Sequence, residues 1–231
     1  MKGILYGNFL LNKKWFIASA ITAVLGTAVC AALESLMPDD MTGTTEAMFL
    51  GIQLIVIAIA IEWLGRNLEA NIKCRFTDVT LAGGISRNTF VMSELLKNVI
   101  SIGIGFVMCI IMQLVMSAFD KSFFTLDTVK MTALLTVFIG AVEWTVNPLV
   151  IDFKSAEKAG LVMGLILAFG IVMPLMIISN AFAEETDNFV RGFFELLSGD
   201  WLPLIVLGIS AALYAIFYFA LLARVRKGDV C

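Results

Sequence analysis

Within the apolar runs of this chain, Glu143 is the side chain best suited to proton or charge chemistry away from water. It belongs to the dipeptide Glu143-Trp144, which has a counterpart in Glu62-Trp63. Glu62 has Arg66 one helical turn on, the favoured orientation for an i,i+4 pair, and reads as a neutralised residue. Glu143 has no such neighbour: its nearest downstream cation is Lys154, eleven residues away. A carboxylate inside a membrane costs roughly a few kcal/mol unless it is paired, protonated or wetted. Glu143 is therefore expected to face the protein interior, meeting a cation from another segment or lining a polar cavity. Trp63 and Trp144 read as anchors at a membrane–water interface.

Most other site chemistry is excluded. The chain has no histidine, which removes Ser-His-Asp and Cys-His triads, H-E-x-x-H zinc sites and haem ligation through histidine. The pair Glu184-Glu185 lies between apolar runs and reads as a solvated acidic loop. The four cysteines (Cys30, Cys74, Cys109, Cys231) show no paired spacing that would suggest a disulfide or metal site. No G-x-x-x-x-G-K-[ST] phosphate loop occurs, and the adjacent glycines Gly83-Gly84 lack its lysine. No cofactor is expected on this chain. If ATP drives it, another polypeptide must bind the nucleotide and its Mg.

The elements that position Glu143 follow from composition. The chain is 60% hydrophobic and 15% charged over 231 residues, with a mean hydropathy of +0.94. Ordinary globular chains carry about 25% charged residues, so lipid must cover this much apolar surface. Six runs approach the roughly 20 residues needed to cross hydrocarbon: 15–36, 47–64, 95–118, 129–151, 159–182 and 201–223. Each is predicted to be a helix, because backbone groups in lipid must satisfy one another. Period-2 alternation is absent, which argues against a barrel. The predicted fold is an all-α integral membrane protein, a single transmembrane domain over 1–231.

Charge sets the sidedness. Lys2, Lys13 and Lys14 precede the first run; Arg66, Lys73, Arg75, Arg87 and Lys97 follow the second; Lys154 and Lys158 follow the fourth; Arg224, Arg226 and Lys227 follow the sixth. With six crossings these thirteen of sixteen cations fall on one side, leaving Lys121, Lys130 and Arg191 on the other. The other gaps are acidic, with Asp39, Asp40 and Glu46, then Asp120 and Asp127, then Glu184, Glu185, Asp187, Glu195 and Asp200. The positive-inside rule puts both termini in the cytosol. The net charge of −3 gives no reason to expect a nucleic-acid partner.

Several segments are more than simple spans. In 1–12, Ile4, Leu5, Tyr6, Phe9 and Leu10 suit a short helix lying along the inner interface, the alternative being a frayed start of the first span. In 66–94, Leu68, Ile72, Phe76 and Val79 mark one apolar helical face. Gly83-Gly84 breaks that helix, and Ser86 caps the next. This helix either reaches a soluble partner or lies on headgroups. The loop 183–200 holds Phe189, Phe193, Phe194, Leu196 and Leu197 among acids, and folding back onto the outer interface would bury them. Gly160 and Gly164 form a small-xxx-small step suited to close helix or dimer contact, and Pro174 is expected to kink the fifth run.

Two phrases resemble those of a known family. Thr80-Leu81-Ala82-Gly83-Gly84-Ile85-Ser86-Arg87, followed by Phe90-Val91-Met92-Ser93-Glu94, is similar to the "leu-pro-ile-ser-arg" stretch that leads into the third span of ABC-2-type permeases. Gly84 stands where proline is usual, and Glu94 where lysine is usual. Asn147-Pro148-Leu149-Val150-Ile151-Asp152-Phe153, followed by Glu157-Lys158-Ala159, resembles the family's "pro-leu-x-tyr-lys-phe-gly-x-glu-lys-ala" phrase between the fourth and fifth spans. Ser155 and Ala156 replace the usual Gly-Tyr, and Asp152 replaces a basic residue. The resemblance extends to length, span number and cytosolic ends. Within the family it is nearest to the small bacterial Pmt-type subunits, which export phenol-soluble modulins.

The resemblance implies a G-subfamily-like exporter fold in the bacterial cytoplasmic membrane. It implies a homodimer joined to two copies of a separate ABC ATPase that binds ATP and Mg, with amphipathic peptides as cargo. The ATPase would grip the interfacial helix and a coupling region containing Ile72, Phe76, Asp78, Val79, Thr80, Leu81, Gly83 and Gly84. The segment 183–200 would match the folded-back region before the last span. The expected function is peptide export, of the toxin or antimicrobial-resistance type. Two alternatives stand beside it: a membrane protein that binds peptides for immunity or regulation, and an ion-coupled carrier.

Overall fold

The computed structural model describes residues 2–36, 42–73, 84–167 and 202–227. Among these residues every regular element is helical: α1 (Lys2–Leu36), α2 (Thr42–Lys73), α3 (Arg87–Met116), a 3₁₀ turn (Lys121–Phe123), α4 (Leu126–Trp144), α5 (Val146–Phe153), α6 (Ala156–Leu167) and α7 (Leu202–Lys227). Four stretches are long and apolar enough to cross a membrane: Lys14–Ser35, Arg87–Met116, Leu126–Phe153 and Pro203–Arg226. Their outward faces carry Val24, Val107, Leu126, Ile216 and Phe219, all exposed, which only lipid or another apolar surface would cover.

The other two expected spans differ. The apolar part of α2 is Met48–Glu62, at 15 residues below spanning length. At 1.5 Å per residue that is about 22 Å, against roughly 30 Å of hydrocarbon. The polar Gln53 also sits inside it. The fifth expected run, 159–182, is described only to Leu167, within α6. Pro174 and 183–200 lie outside the described residues.

The helices run antiparallel in chain order through α4. Ser19 Oγ of α1 donates to Val56 O of α2 (3.0 Å), and a side chain at Gly26 would overlap Ile52. Cys109 Sγ of α3 donates to Gln53 O of α2 at 3.8 Å. Gln113 of α3 reaches Thr132 of α4, while Asn98 reaches Gly140. Helix α7 runs parallel to α4, with Tyr214 beside Asn98 and Trp144 and Arg224 beside Asp152. The start of α1, the end of α2, the start of α3, the end of α5 and the end of α7 therefore share one end of the bundle. Lys14, Lys73, Arg87, Lys154, Arg224 and Arg226 gather there, and Asp120, Asp127, Lys121 and Lys130 lie at the other. These are called the basic and acidic ends below.

Local chemistry explains the breaks. Gly84 has φ +85°, a left-handed conformation that glycine adopts without strain. Ser86 then caps α3, its hydroxyl accepting from Thr89 N at 3.1 Å. Both features match the sequence expectation. Between α4 and α5 the helix breaks at Thr145, which the continuous run 129–151 does not anticipate. Pro148 is the cause: it has no N–H to give the Trp144 carbonyl four residues back, and its ring crowds that carbonyl.

Two expected joints are absent. Helix α1 passes unbroken through Lys13-Lys14, so 1–12 is not a separate interfacial helix but the first turns of a 35-residue one. Gly7 costs only about 1 kcal/mol in a helix, too little to break it. Likewise α2 runs on to Lys73 instead of ending near position 64.

Candidate functional site: a buried polar cluster toward the basic end

The largest concentration of buried polar groups lies on α3. Phe90, Ser93, Glu94, Lys97, Asn98, Ser101 and Gly105 recur at helical spacing and are all buried. Lys97 lies ten residues into α3, about 15 Å along its axis. The charge pattern places it among the cations of the cytosolic connector, but only 1% of its side chain is exposed, and 2% of Glu94. Lys97 Nζ donates to Glu94 Oε1 at 2.6 Å. The i,i+3 spacing puts the two side chains on one helix face, so the pair forms within a single element. Two charges buried this fully are tolerated only as a pair.

Hydrogen bonds carry the cluster to its neighbours. Asn98 Nδ2 donates to Gly140 O of α4 at 3.2 Å. Tyr214 Oη of α7 donates to Asn98 Oδ1 at 2.6 Å. Ser101 Oγ donates to Lys97 O, and Ser93 Oγ to Phe90 O. One asparagine thus ties three helices. Gly140 makes this possible, because a side chain there would overlap Ile102 and crowd the Tyr214 hydroxyl. Trp144 is fully buried 6.2 Å from Tyr214 (ring centroids), with its Nε1 unpartnered.

Glu143 is partly buried, next to this cluster in sequence. Among the described residues it has no ion-pair partner, and the charge acting on it is the Glu62 carboxylate. The expected cation from another segment is therefore replaced by a like charge. The reason is topological: α2 and α4 bring the two Glu-Trp dipeptides to the same level of the bundle.

A second layer closes the basic end. Glu69 of α2 binds Lys73, and its Oε2 accepts from Ala156 N at the start of α6 (2.8 Å). A carboxylate at a helix N-terminus satisfies an orphan donor and complements the dipole. Arg224 Nε of α7 contacts both carboxylate oxygens of Asp152, at 2.7 and 2.9 Å. Beneath these pairs lies an apolar core of Leu68, Ile72, Phe90, Val91, Trp144, Val150, Ile151, Ala159, Leu221 and Val225.

The remaining expected site residues sort as follows. Ile72, assigned to ATPase coupling, is 6% exposed in that core. Its apolar face, shared with Leu68, packs on the chain itself, so this part of the helix does not project toward a soluble partner. Phe76, Asp78, Val79, Thr80, Leu81 and Gly83 lie outside the described residues, whereas Gly84 forms an exposed turn. The side chains of Ile4, Leu5, Tyr6, Phe9 and Leu10 also lie outside them. Gly160 and Gly164 are exposed on α6, and a Cβ added at either would meet no described atom within 4 Å, so they make no helix contact within the described chain. The close approaches belong to Gly26 and Gly140 instead.

Reading 95 as the start of a span hides the Glu94–Lys97 pair, although the spacing of Ser93, Glu94, Lys97, Asn98 and Ser101 is visible in the sequence. No group of three or more potential metal ligands occurs among the described residues. The cluster is chemically a set of ties that holds α3, α4 and α7 in register, with the Glu62 and Glu143 carboxylates beside it. Comparison with family models, with curated proteins and with solved structures gives no match to this chain.

Proposed function

We propose that this chain is the membrane subunit of an ATP-driven exporter of amphipathic or hydrophobic peptides. It works as a homodimer with a separate ATPase that binds ATP and Mg. Six crossings are part of the proposal, with α2 and the run 159–182 as the second and fifth. So are cytosolic termini in a bacterial cytoplasmic membrane.

One observation carries the reading. The two phrases that resemble ABC-2 permeases lie more than fifty residues apart in the chain, yet they meet in one core at the basic end. Phe90 and Val91 of the first share one buried apolar cluster with Val150, Ile151 and Ala159 of the second, with residues of α2 and α7 completing it. An ATPase docking on the connector 74–83 would push on the turn at Gly84 and the capped start of α3. From there the Asn98 ties lead to α4 and α7.

The Glu62–Glu143 approach favours one rival, an ion-coupled carrier, since such carriers place carboxylates inside the membrane. The test is co-purification with a candidate ABC ATPase from the same cell, followed by hydrolysis assays with amphipathic peptides. The exporter reading expects a 2:2 complex, peptide-stimulated hydrolysis, and loss of the complex in Phe76→Asp or Val79→Asp. Peptide movement that follows a proton gradient without ATP would support the carrier instead.

A further inference from the structure

A cavity of about 380 Å³ opens toward the acidic end between α2, α3, the 3₁₀ turn and the start of α4. Phe49, Leu50, Phe123, Met131 and Leu135 give it apolar walls. Phe49 and Phe123 brace each other edge to face, with ring centroids 5.1 Å apart.

The polar side chains around this space are almost all engaged with the protein itself. Thr128 Oγ1 accepts from Thr125 N at 2.9 Å and donates to Thr125 O at 2.9 Å. Thr132 Oγ1 donates to Thr128 O and accepts from Gln113 Nε2. Ser122 gives both its N–H and its hydroxyl to Asp120. The unbonded amide atoms of Gln53 and Gln113 are buried behind the cavity surface. Asp127 differs. Among the described residues that line the cavity it alone is charged. Its side chain is 90% exposed, and its contact is an ion pair with Lys130 at 3.5 Å, itself 59% exposed. So long and open a pair contributes little, and the carboxylate can exchange it for another cation.

We propose that this cavity binds an amphiphilic cation. The apolar body fills the space between the aromatic and aliphatic walls, and the ammonium group takes the place of Lys130 against the Asp127 carboxylate. Charge and lining select this occupant together. A ligand rich in hydrogen-bonding groups finds no free partner on the walls, and an anion meets a carboxylate. The proposal does not rest on the exporter reading, because binding needs neither the ATPase nor transport.

The test is equilibrium dialysis of the full chain in phosphatidylcholine nanodiscs near neutral pH, with empty nanodiscs correcting for partition into lipid. The probes are phenethylammonium and phenethyl alcohol, which share the apolar body and differ in the charge. Wild type should bind both saturably and the cation about three-fold more tightly, the effect of one exposed ion pair. Asp127→Asn should abolish that preference and leave the alcohol unchanged. Lys130→Gln should widen it by removing the competing cation. Leu135→Trp, which fills the cavity, should weaken both probes. Equal binding of the two probes by wild type, or no saturable binding of the cation, would overturn the proposal. So would a preference that survives Asp127→Asn or fails to widen in Lys130→Gln, or binding undiminished in Leu135→Trp. The Asp127 and Lys130 variants change exposed side chains, so those readings do not depend on a core variant folding.

Discussion

The two ends of the bundle tie their buried polar groups over different reaches. Toward the basic end, Lys97 with Glu94 and Tyr214 with Asn98 are matched, and the matches join three helices. Toward the acidic end, the bond from Gln113 to Thr132 joins α3 and α4 alone. Both ends keep buried atoms without a bond: Trp144 Nε1 and Asn71 Nδ2 at the basic end, Gln53 Nε2 and Gln113 Oε1 toward the acidic end. The comparison assigns the wider cohesion of the bundle to the basic end, where one asparagine joins three helices.

The sharpest way to break this comparison is Lys97→Met, which strands the Glu94 carboxylate. The expected loss is about 3–5 kcal/mol, read from denaturant or thermal unfolding in detergent. The double variant Glu94→Leu with Lys97→Met should recover most of it, because an apolar pair of similar volume often replaces a buried ion pair at little cost. Next comes Gly140→Leu, which must displace Ile102 and Tyr214. It should lose about 1–3 kcal/mol, while Gly164→Leu, with no described neighbour, should stay within about 0.5 kcal/mol. Equal losses at the two glycines would erase the distinction between a packed and an open helix face.

Smaller effects sharpen the contrast. Tyr214→Phe should cost about 1 kcal/mol by freeing Asn98 Oδ1. Gln53→Leu at the other end should be neutral or stabilising, since its Nε2 makes no bond to lose. The smallest effect concerns Asp120, which lies outside the spans and caps the 3₁₀ turn. Hydrogen bonds from Ser122, the backbone N–H foremost, hold its carboxyl below the usual carboxylate range. A lowered folded pKa means that the cap contributes above the unfolded value and is lost as pH falls through the folded one. Ser122 amide exchange should therefore accelerate only in acid, and Asp120→Asn should flatten that response.

Charge placement is legible in the sequence because it follows from connector composition alone. The topology gathers Lys14, Lys73, Arg87, Lys154 and Arg224 at one end, as the distribution of cations implies. The Gly84 turn and the Ser86 cap are legible too, since both are local chemistry. What the sequence hides depends on neighbours far along the chain. Glu143 lies within electrostatic reach of Glu62 because two helices set their dipeptides level, which no spacing reveals. Gly140 matters because Ile102 and Tyr214 press on it, whereas Gly160 and Gly164 fit a motif and touch nothing described. Lys97 reads as a connector cation because its charge suggests water, while its i,i+3 partner allows burial. The buried Gln53 and Gln113 escape notice because an amide inside an apolar run carries no charge.

The functional account depends most on which side of the membrane the basic end faces. In a variant with Cys30, Cys74, Cys109 and Cys231 replaced and Thr80→Cys added, an impermeant maleimide reports that side directly. The account predicts no labelling in intact cells, labelling after permeabilisation, and protection when the partner ATPase is co-expressed. Labelling of intact cells from outside would contradict it.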